Sequence, residues 1–370
     1  MSAATAARSH DLAELIVERS IVICSGSGGV GKTTAAAVLA MEAAQAGRRA
    51  VVVTIDPAKR LADALGLGGE GIGNVPRAID GPWSGELWAV MLDTKSTFDD
   101  LVTRYSTDPG QAERILANRF YKNISGALSG TQEYMAMEKL YELHADDGFD
   151  LVVVDTPPSR NALDFLDAPR RLTRFLDHRL YRVLMTPTRG MMKAVNVAAQ
   201  AFVRSVSKVV GGEVFNDAVT FFQAFDGMEE GFRQRADVVL EVLTSPATAF
   251  VLVASPHRDT VDEARFFAEK LGEADISVSA LIVNRMHPMF TTKLPESLRE
   301  RAATLDGTDL GGLYRNLADF ALVAGREEDH LAGLADQVAP APVVRVPFLR
   351  SDVHDLTGLA LVGDHLFGRT

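Results

Sequence analysis

The run Gly26 to Thr34 reads GSGGVGKTT and sits between an apolar stretch, Ile21 to Cys24, and a stretch with helical character, Lys32 to Ala46. Gly26, Gly31, Lys32 and Thr33 match GxxxxGK[ST] without a gap. Glycines let such a loop wrap closely, so that backbone N–H groups converge on an anion. The helix that follows adds the partial positive charge of its N-terminus. The pattern predicts a nucleotide cradle built from Gly28, Gly29, Val30, Gly31, Lys32, Thr33 and Thr34. In it Lys32 reaches the β and γ phosphates and the Thr33 hydroxyl ligates Mg²⁺.

Other segments repeat the strand signal: Ala50 to Ile55, Leu87 to Leu92, Leu151 to Asp155, Phe250 to Ala254, Ala280 to Asn284 and Val343 to Val346. They are short and almost continuously apolar, as strands covered on both faces must be. Helical stretches separate them. In Thr260 to Leu271, for instance, Val261, Ala264, Phe267, Ala268 and Leu271 recur at helical spacing. The expected fold is α/β, a doubly wound, mostly parallel sheet. Residues 94–148 and 161–245 carry no strand pattern and are expected to insert a helical subdomain into a single domain spanning 1–370.

Two carboxylates end strands. Asp155 closes LVVVD at the sheet edge where a Mg²⁺ ligand belongs, bound to the ion directly or through its waters. Asp56 closes the next candidate, in TIDPAKR, where a carboxylate can orient an attacking water. His257, His287 and His354 lie near strand ends without metal spacing and read as ordinary polar residues.

The net charge of −11 argues against a general nucleic-acid binder. No apolar run approaches the roughly 20 residues that span a bilayer, and the N-terminal residues lack a signal pattern. Cys24 alone forms neither an internal disulfide nor a CxxC zinc pair, so a reducing, cytoplasmic setting is expected.

GSGGVGKTT, then TIDPAKRLADALG, then FDLVVVDTPPSRNALDFL, in that order, resemble the arsenite-pump ATPase family, which includes the guided-entry ATPase that delivers tail-anchored membrane proteins. The resemblance covers nearly the whole chain and is strongest toward the actinobacterial branch labelled anion-transporting ATPases. It implies a deviant Walker A loop, a first switch at Asp56 with the water-activating carboxylate, and a second at Asp155. It also implies ATP as substrate, Mg²⁺ as cofactor and a dimer. LIVNR resembles the adenine-contacting segment and points to Asn284; RVPFLRSDV resembles the loop over the base and points to Pro347 and Phe348.

Three departures matter. The family's loop usually carries a lysine before the paired glycines, reaching the other subunit's phosphates, and here Ser27 stands there. A short neutral hydroxyl cannot supply that charge. The CxxC that pins the eukaryotic dimer through zinc is missing, and one cysteine cannot build the thiol cluster arsenite needs. Between Leu180 and Phe225, apolar residues such as Met185, Met191, Phe202 and Phe221 alternate with Lys193, Arg204 and Lys208. The resemblance puts a groove for an apolar client helix there; a subunit contact and plain core are the competing readings. The leading expectation is a Mg²⁺-ATP-driven dimeric switch ATPase. Its rivals are a catalytically weak half of a hetero-dimer and a partitioning or cell-division positioning ATPase. Against the last stand the long helical inserts and a C-terminal stretch without basic amphipathic character.

Overall fold

The computed structural model describes residues 12–55, 60–66, 73–124, 131–146, 148–157, 168, 174, 212–224 and 227–369. The chain divides into two compact units, Met1–Met91 with Leu143–Leu163 and Pro246–Thr370, and Leu92–Glu142 with Asp164–Ser245. The first contains an eight-stranded sheet: β1 (Ile21–Ser25), β2 (Arg49–Thr54), β3 (Arg77–Ile79), β4 (Glu86–Met91), β5 (Leu151–Asp155), β6 (Thr248–Ala254), β7 (Val278–Met286) and β8 (Val343–Pro347). The spatial order is β3-β4-β2-β5-β1-β6-β7-β8, and every pairing is parallel except β3 with β4.

All seven apolar runs are strands within a residue or two of the expected bounds. The short antiparallel β3, RAI, is too brief to show a pattern of its own. β1 and β5 are buried along their whole length, as interior parallel strands are. β1 is also where the winding reverses, since β2 lies beyond β5 on one side and β6 on the other. Crevices at the carboxyl ends of strands beside such a reversal are the usual ligand sites of open α/β sheets.

Helix α1 (Lys32–Gln45, KTTAAAVLAMEAAQ) follows β1, and its buried face is largely alanine. Small side chains let it lie close to the sheet, and alanine is the best helix former. Its N-cap is Gly31, with no side-chain cap and no acidic residue in the first turn. The first-turn N–H groups are therefore not taken up by a capping side chain. Helix α2 (Arg258–Glu273) buries Val261, Ala264, Phe267 and Leu271, the face expected from spacing. α3 (Pro295–Thr304) and the 30-residue α4 (Asp309–Val338) follow β7. Helix α5 (Leu356–Leu366) is capped by Asp355 Oδ1, which accepts from Gly358 N–H at 2.7 Å. It packs on α1, where Arg369 grips the buried Glu42 carboxylate, with Nη1 donating to Oε2 at 2.8 Å.

The second unit is helical where described: Thr94–Tyr105, Pro109–Ala117, Arg119–Ile124, Thr131–Ala145, Gly212–Ala224 and Glu229–Thr244. It has its own core, in which Phe221 stacks on Tyr121 with ring centroids 5.9 Å apart. Glu138, buried, accepts from Tyr134 Oη at 2.7 Å and from Arg235 Nε at 2.7 Å. Phe221 is thus core. The rest of the apolar stretch read as a client groove lies mainly outside the described residues, residues 181–211 in particular.

Candidate active site

At the carboxyl edge of the sheet a cavity of about 400 Å³ is lined by Gly29, Gly31, Lys32, Thr33, Thr34, Asp63, Ala64, Asp155, Thr156, Arg285, Val353 and His354. The glycine loop forms its floor. At Gly26 a Cβ would sit 2.0 Å from the Val253 carbonyl oxygen, so only glycine lets the loop leave β1 against β6. At Gly31, φ is 101° and a Cβ would meet Asn284 Nδ2 at 2.3 Å, so both backbone angle and space demand glycine. Gly28 is exposed, and the Val30 side chain is buried beneath the loop.

The chemical groups converge from three strands. Lys32 is buried, and its ammonium donates to the Ser27 carbonyl at 2.8 Å. Thr33 Oγ1 donates to Asp155 Oδ2 at 2.6 Å, and Thr54 Oγ1, at the end of β2, donates to the same oxygen at 3.0 Å. Thr156 Oγ1 donates to the Cys24 carbonyl at 2.9 Å, which ties the ends of β5 and β1 together. Ser27 Oγ is buried without a hydrogen-bond partner among the described residues. An orphaned hydroxyl and a set of uncapped N–H groups are what an incoming phosphate would satisfy.

The same residues fit Mg²⁺. Thr33 and Asp155 offer hard oxygen donors beside the phosphate loop. Among the described residues, no three His, Cys, Asp or Glu side chains are grouped to enclose an ion. Mg²⁺ at phosphate sites takes one or two carboxylates and completes its shell with phosphate and water, and one threonine hydroxyl with one carboxylate fits that demand.

The structure brings Gly29, Gly31, Lys32, Thr33, Thr34 and Asp155 to one cavity. Asn284 lies one layer back: its Nδ2 donates to the Val30 carbonyl at 2.9 Å and its Oδ1 accepts from Arg285 N–H at 2.9 Å. Pro347 ends β8, and Phe348 beyond it is 60% exposed and stacks on the His287 ring at 6.1 Å. Asp56 lies outside the described residues; Ile55 before it donates its N–H to the Asp155 carbonyl at 3.2 Å. Of the three histidines read as ordinary polar residues, His287 pairs with Glu327 at 2.6 Å, whereas His354 lines the cavity. Thr54, Asp63, Thr156 and Arg285 escape sequence reasoning, and His354 is read there only as an ordinary polar residue. Their only signal is adjacency: Thr54 and Thr156 lie near the strand-end carboxylates, Arg285 follows Asn284, and His354 follows RVPFLRSDV.

A family model described as anion-transporting ATPase matches residues 19–305. The chain belongs to this ATPase family. Relatives include an "ATPase get3" of Neurospora crassa, 22% identical over 74% of this chain and 76% of that protein. A "Putative arsenical pump-driving ATPase 1" of Aquifex aeolicus is 20% identical over 94% of this chain and 78% of that protein. A "Putative arsenical pump-driving ATPase" of Halobacterium salinarum is 29% identical, but the match takes in 44% of this chain and only 26% of that longer protein. In this member of the family, Cys24 is fully buried on β1. Burial, and then the nearby Asp155 carboxylate, push its thiol pKa far up, with Lys32 opposing only in part. The sulfur stays protonated and closed off from solvent. Among the described residues no helix is long and apolar enough to cross a membrane.

Proposed function

We propose that this chain binds Mg²⁺-ATP in the cavity and hydrolyses it as a dimeric switch that handles an apolar client or partner protein. The observation that carries the reading is the Lys32, Thr33 and Asp155 constellation, held by buried hydrogen bonds around an uncapped helix N-terminus. Lys32 is poised to exchange its bond to the Ser27 carbonyl for phosphate oxygens, and the first turn of α1 supplies N–H donors. Thr33 and Asp155 would hold Mg²⁺, which would supply charge neutralisation at the phosphates. Asp56 is assigned the orientation of the attacking water, on the strength of its place directly after Ile55, whose N–H bonds the end of β5. Fixed donors aimed at developing charge stabilise the transition state without reorganisation.

An exposed aromatic cluster offers a surface to a partner. Phe290 and Phe320 meet at 5.9 Å, and the His287 ring links Phe320 to Phe348. Apolar surface of that kind marks an interaction site. The relatives named get3 and arsenical pump-driving ATPase suggest two families of task. The buried, protonated Cys24 favours the first over arsenite handling, and a lone cysteine fits a cytoplasmic setting. The second reading, a catalytically weak half of a hetero-dimer, is favoured by Ser27, whose buried hydroxyl carries no charge.

Turnover by Lys32→Ala is the deciding test. Nucleotide binding or hydrolysis is expected to fall by about 100-fold or more, as for loss of a transition-state donor; undiminished hydrolysis would sink the assignment. Strong activity of the isolated chain excludes the weak-subunit reading, and activity only beside a lysine-bearing paralogue establishes it.

A further inference from the structure

The proposed reaction gives Thr54 no task, yet its hydroxyl is spent on Asp155. The backbone around Asp155 is fixed by both neighbouring strands. Ile55 N–H donates to the Asp155 carbonyl at 3.2 Å, and Thr156 N–H donates to the Cys24 carbonyl at 3.2 Å. What this leaves open is the torsion of the Asp155 side chain. Thr33 Oγ1 and Thr54 Oγ1 both donate to its Oδ2, at 2.6 and 3.0 Å. Thr54 stands directly opposite Asp155 in the parallel β2–β5 register, so a short side chain is enough to make the contact.

Packing alone does not call for a threonine here. Thr54 is 2% exposed and closes β2 after the run AVVV. Valine has the same shape, is equally at home in strands and would bury no hydroxyl. The consequence of the hydroxyl lies at Thr33. A hydroxyl carries one proton and two lone pairs. While Thr33 gives its proton to Asp155 Oδ2, its lone pairs are left for a cation beside the phosphate loop. Their direction depends on where Oδ2 stands, and Thr54 fixes that oxygen from the β2 side. Groups that orient a metal's ligands in this way contribute about 10- to 100-fold to its affinity.

We infer that Thr54 is a positioning residue: it fixes the Asp155 carboxylate, which in turn presents the Thr33 hydroxyl to the divalent cation. The inference rests on the Mg²⁺-nucleotide reading above, and the experiment separates the two. Mn²⁺ shares the preference of Mg²⁺ for six oxygen ligands and is visible by paramagnetic resonance. It is titrated into the full chain saturated with ADP, for the native protein, Thr54→Val and Thr54→Ser. Valine removes the hydroxyl and keeps the shape, whereas serine keeps the hydroxyl. ADP affinity without metal and thermal unfolding without nucleotide are measured alongside.

Thr54→Val is expected to weaken Mn²⁺ binding by about 10-fold or more and to leave metal-free ADP within about 2-fold of native. Thr54→Ser is expected to hold Mn²⁺ as the native protein does. In an Asp155→Asn background Thr54→Val should add little, because effects that act through one contact are not additive. Unchanged Mn²⁺ affinity in Thr54→Val overturns the inference. So does an equal loss in Thr54→Ser, which traces the effect to packing, or an undiminished further loss beside Asp155→Asn. An equal loss of metal-free ADP also overturns it, since Thr54 would then support the phosphate loop. If Thr54→Val is unfolded, Thr54→Ala is read by the same criteria. If the native protein binds ADP but no Mn²⁺, the inference fails while the nucleotide site stands. If it binds neither, the nucleotide reading itself falls.

Discussion

On the β5 side of the cavity, the groups that would meet phosphate and metal are buried and interlocked. Lys32 is tied to a loop carbonyl, and Thr33 and Thr54 converge on one oxygen of Asp155. On the β7 and β8 side, Arg285 is exposed and held by backbone strain, and His354 and Phe348 lie at the surface. The first arrangement gives fixed dipoles that need no reorganisation when charge develops. The second gives an exposed wall, at the expense of rigidity. One amide, that of Asn284, joins them.

The largest effect expected from breaking the interlocked end comes from Gly31→Ala. The new methyl meets Asn284 Nδ2 at 2.3 Å on a backbone with φ 101°. Strain of this kind costs about 1–3 kcal/mol before the clash is counted. Affinity for Mg²⁺-ATP and for tripolyphosphate should both fall, by about 100-fold or more. Equilibrium binding checks this, with circular dichroism to show that the sheet persists. If tripolyphosphate still bound normally, the phosphate end would be less rigid than its hydrogen bonds imply.

The contrast also explains what could be read without coordinates. The phosphate end obeys strong local rules: a glycine at each forbidden backbone angle, a lysine and threonine at fixed spacing, and a carboxylate closing an apolar run. GSGGVGKTT and LVVVD could therefore be placed from sequence at what proves to be one cavity. The sheet was legible for the same reason, since β1 and β5 are buried throughout and read as unbroken apolar runs. Arg285 and His354 obey no such rule. Arg285 is brought to the cavity by a one-residue slip in the β7–β8 register, and His354 by the loop capped at Asp355, and neither event leaves a periodic trace. The 30-residue α4 hides for a related reason: Gly311, Gly312, Gly325 and Gly333 dilute its helical propensity, and its place comes from packing on α3 and α2.

Asp155→Asn probes the metal half of the interlocked end, with a smaller effect. The amide keeps an oxygen for the Thr33 and Thr54 hydroxyls, so the fold is retained. What is lost is charge toward Mg²⁺. Turnover at limiting Mg²⁺ should fall by about 10- to 100-fold, the usual cost of removing a group that acts on a metal's outer shell. Binding of ATP without Mg²⁺ should hold or strengthen, because a negative charge near the phosphates is gone. A Mg²⁺ titration of the hydrolysis rate distinguishes these outcomes; an unshifted Mg²⁺ dependence would place the metal elsewhere.

The smallest effect is expected where the two ends meet. Asn284→Ala removes two hydrogen bonds, to Val30 and to Arg285, each worth about 0.5–1.5 kcal/mol. Asn284 is only half-buried, so water can take up part of what is lost. Without the Oδ1 acceptor, one hydrogen bond that offsets the cost of φ 61° at Arg285 is gone, and the bulge can relax more easily. The loop side is better supported: Gly26 is held against β6 and Lys32 against the Ser27 carbonyl, whether or not the amide is present. The loss should therefore be uneven. ATP is expected to bind about 5- to 10-fold more weakly and tripolyphosphate no more than about 2-fold, a gap of about 1 kcal/mol. Equal losses would mean that Asn284 chiefly shapes the phosphate loop, and the two ends would then be one rigid site rather than a fixed cradle with an adaptable wall.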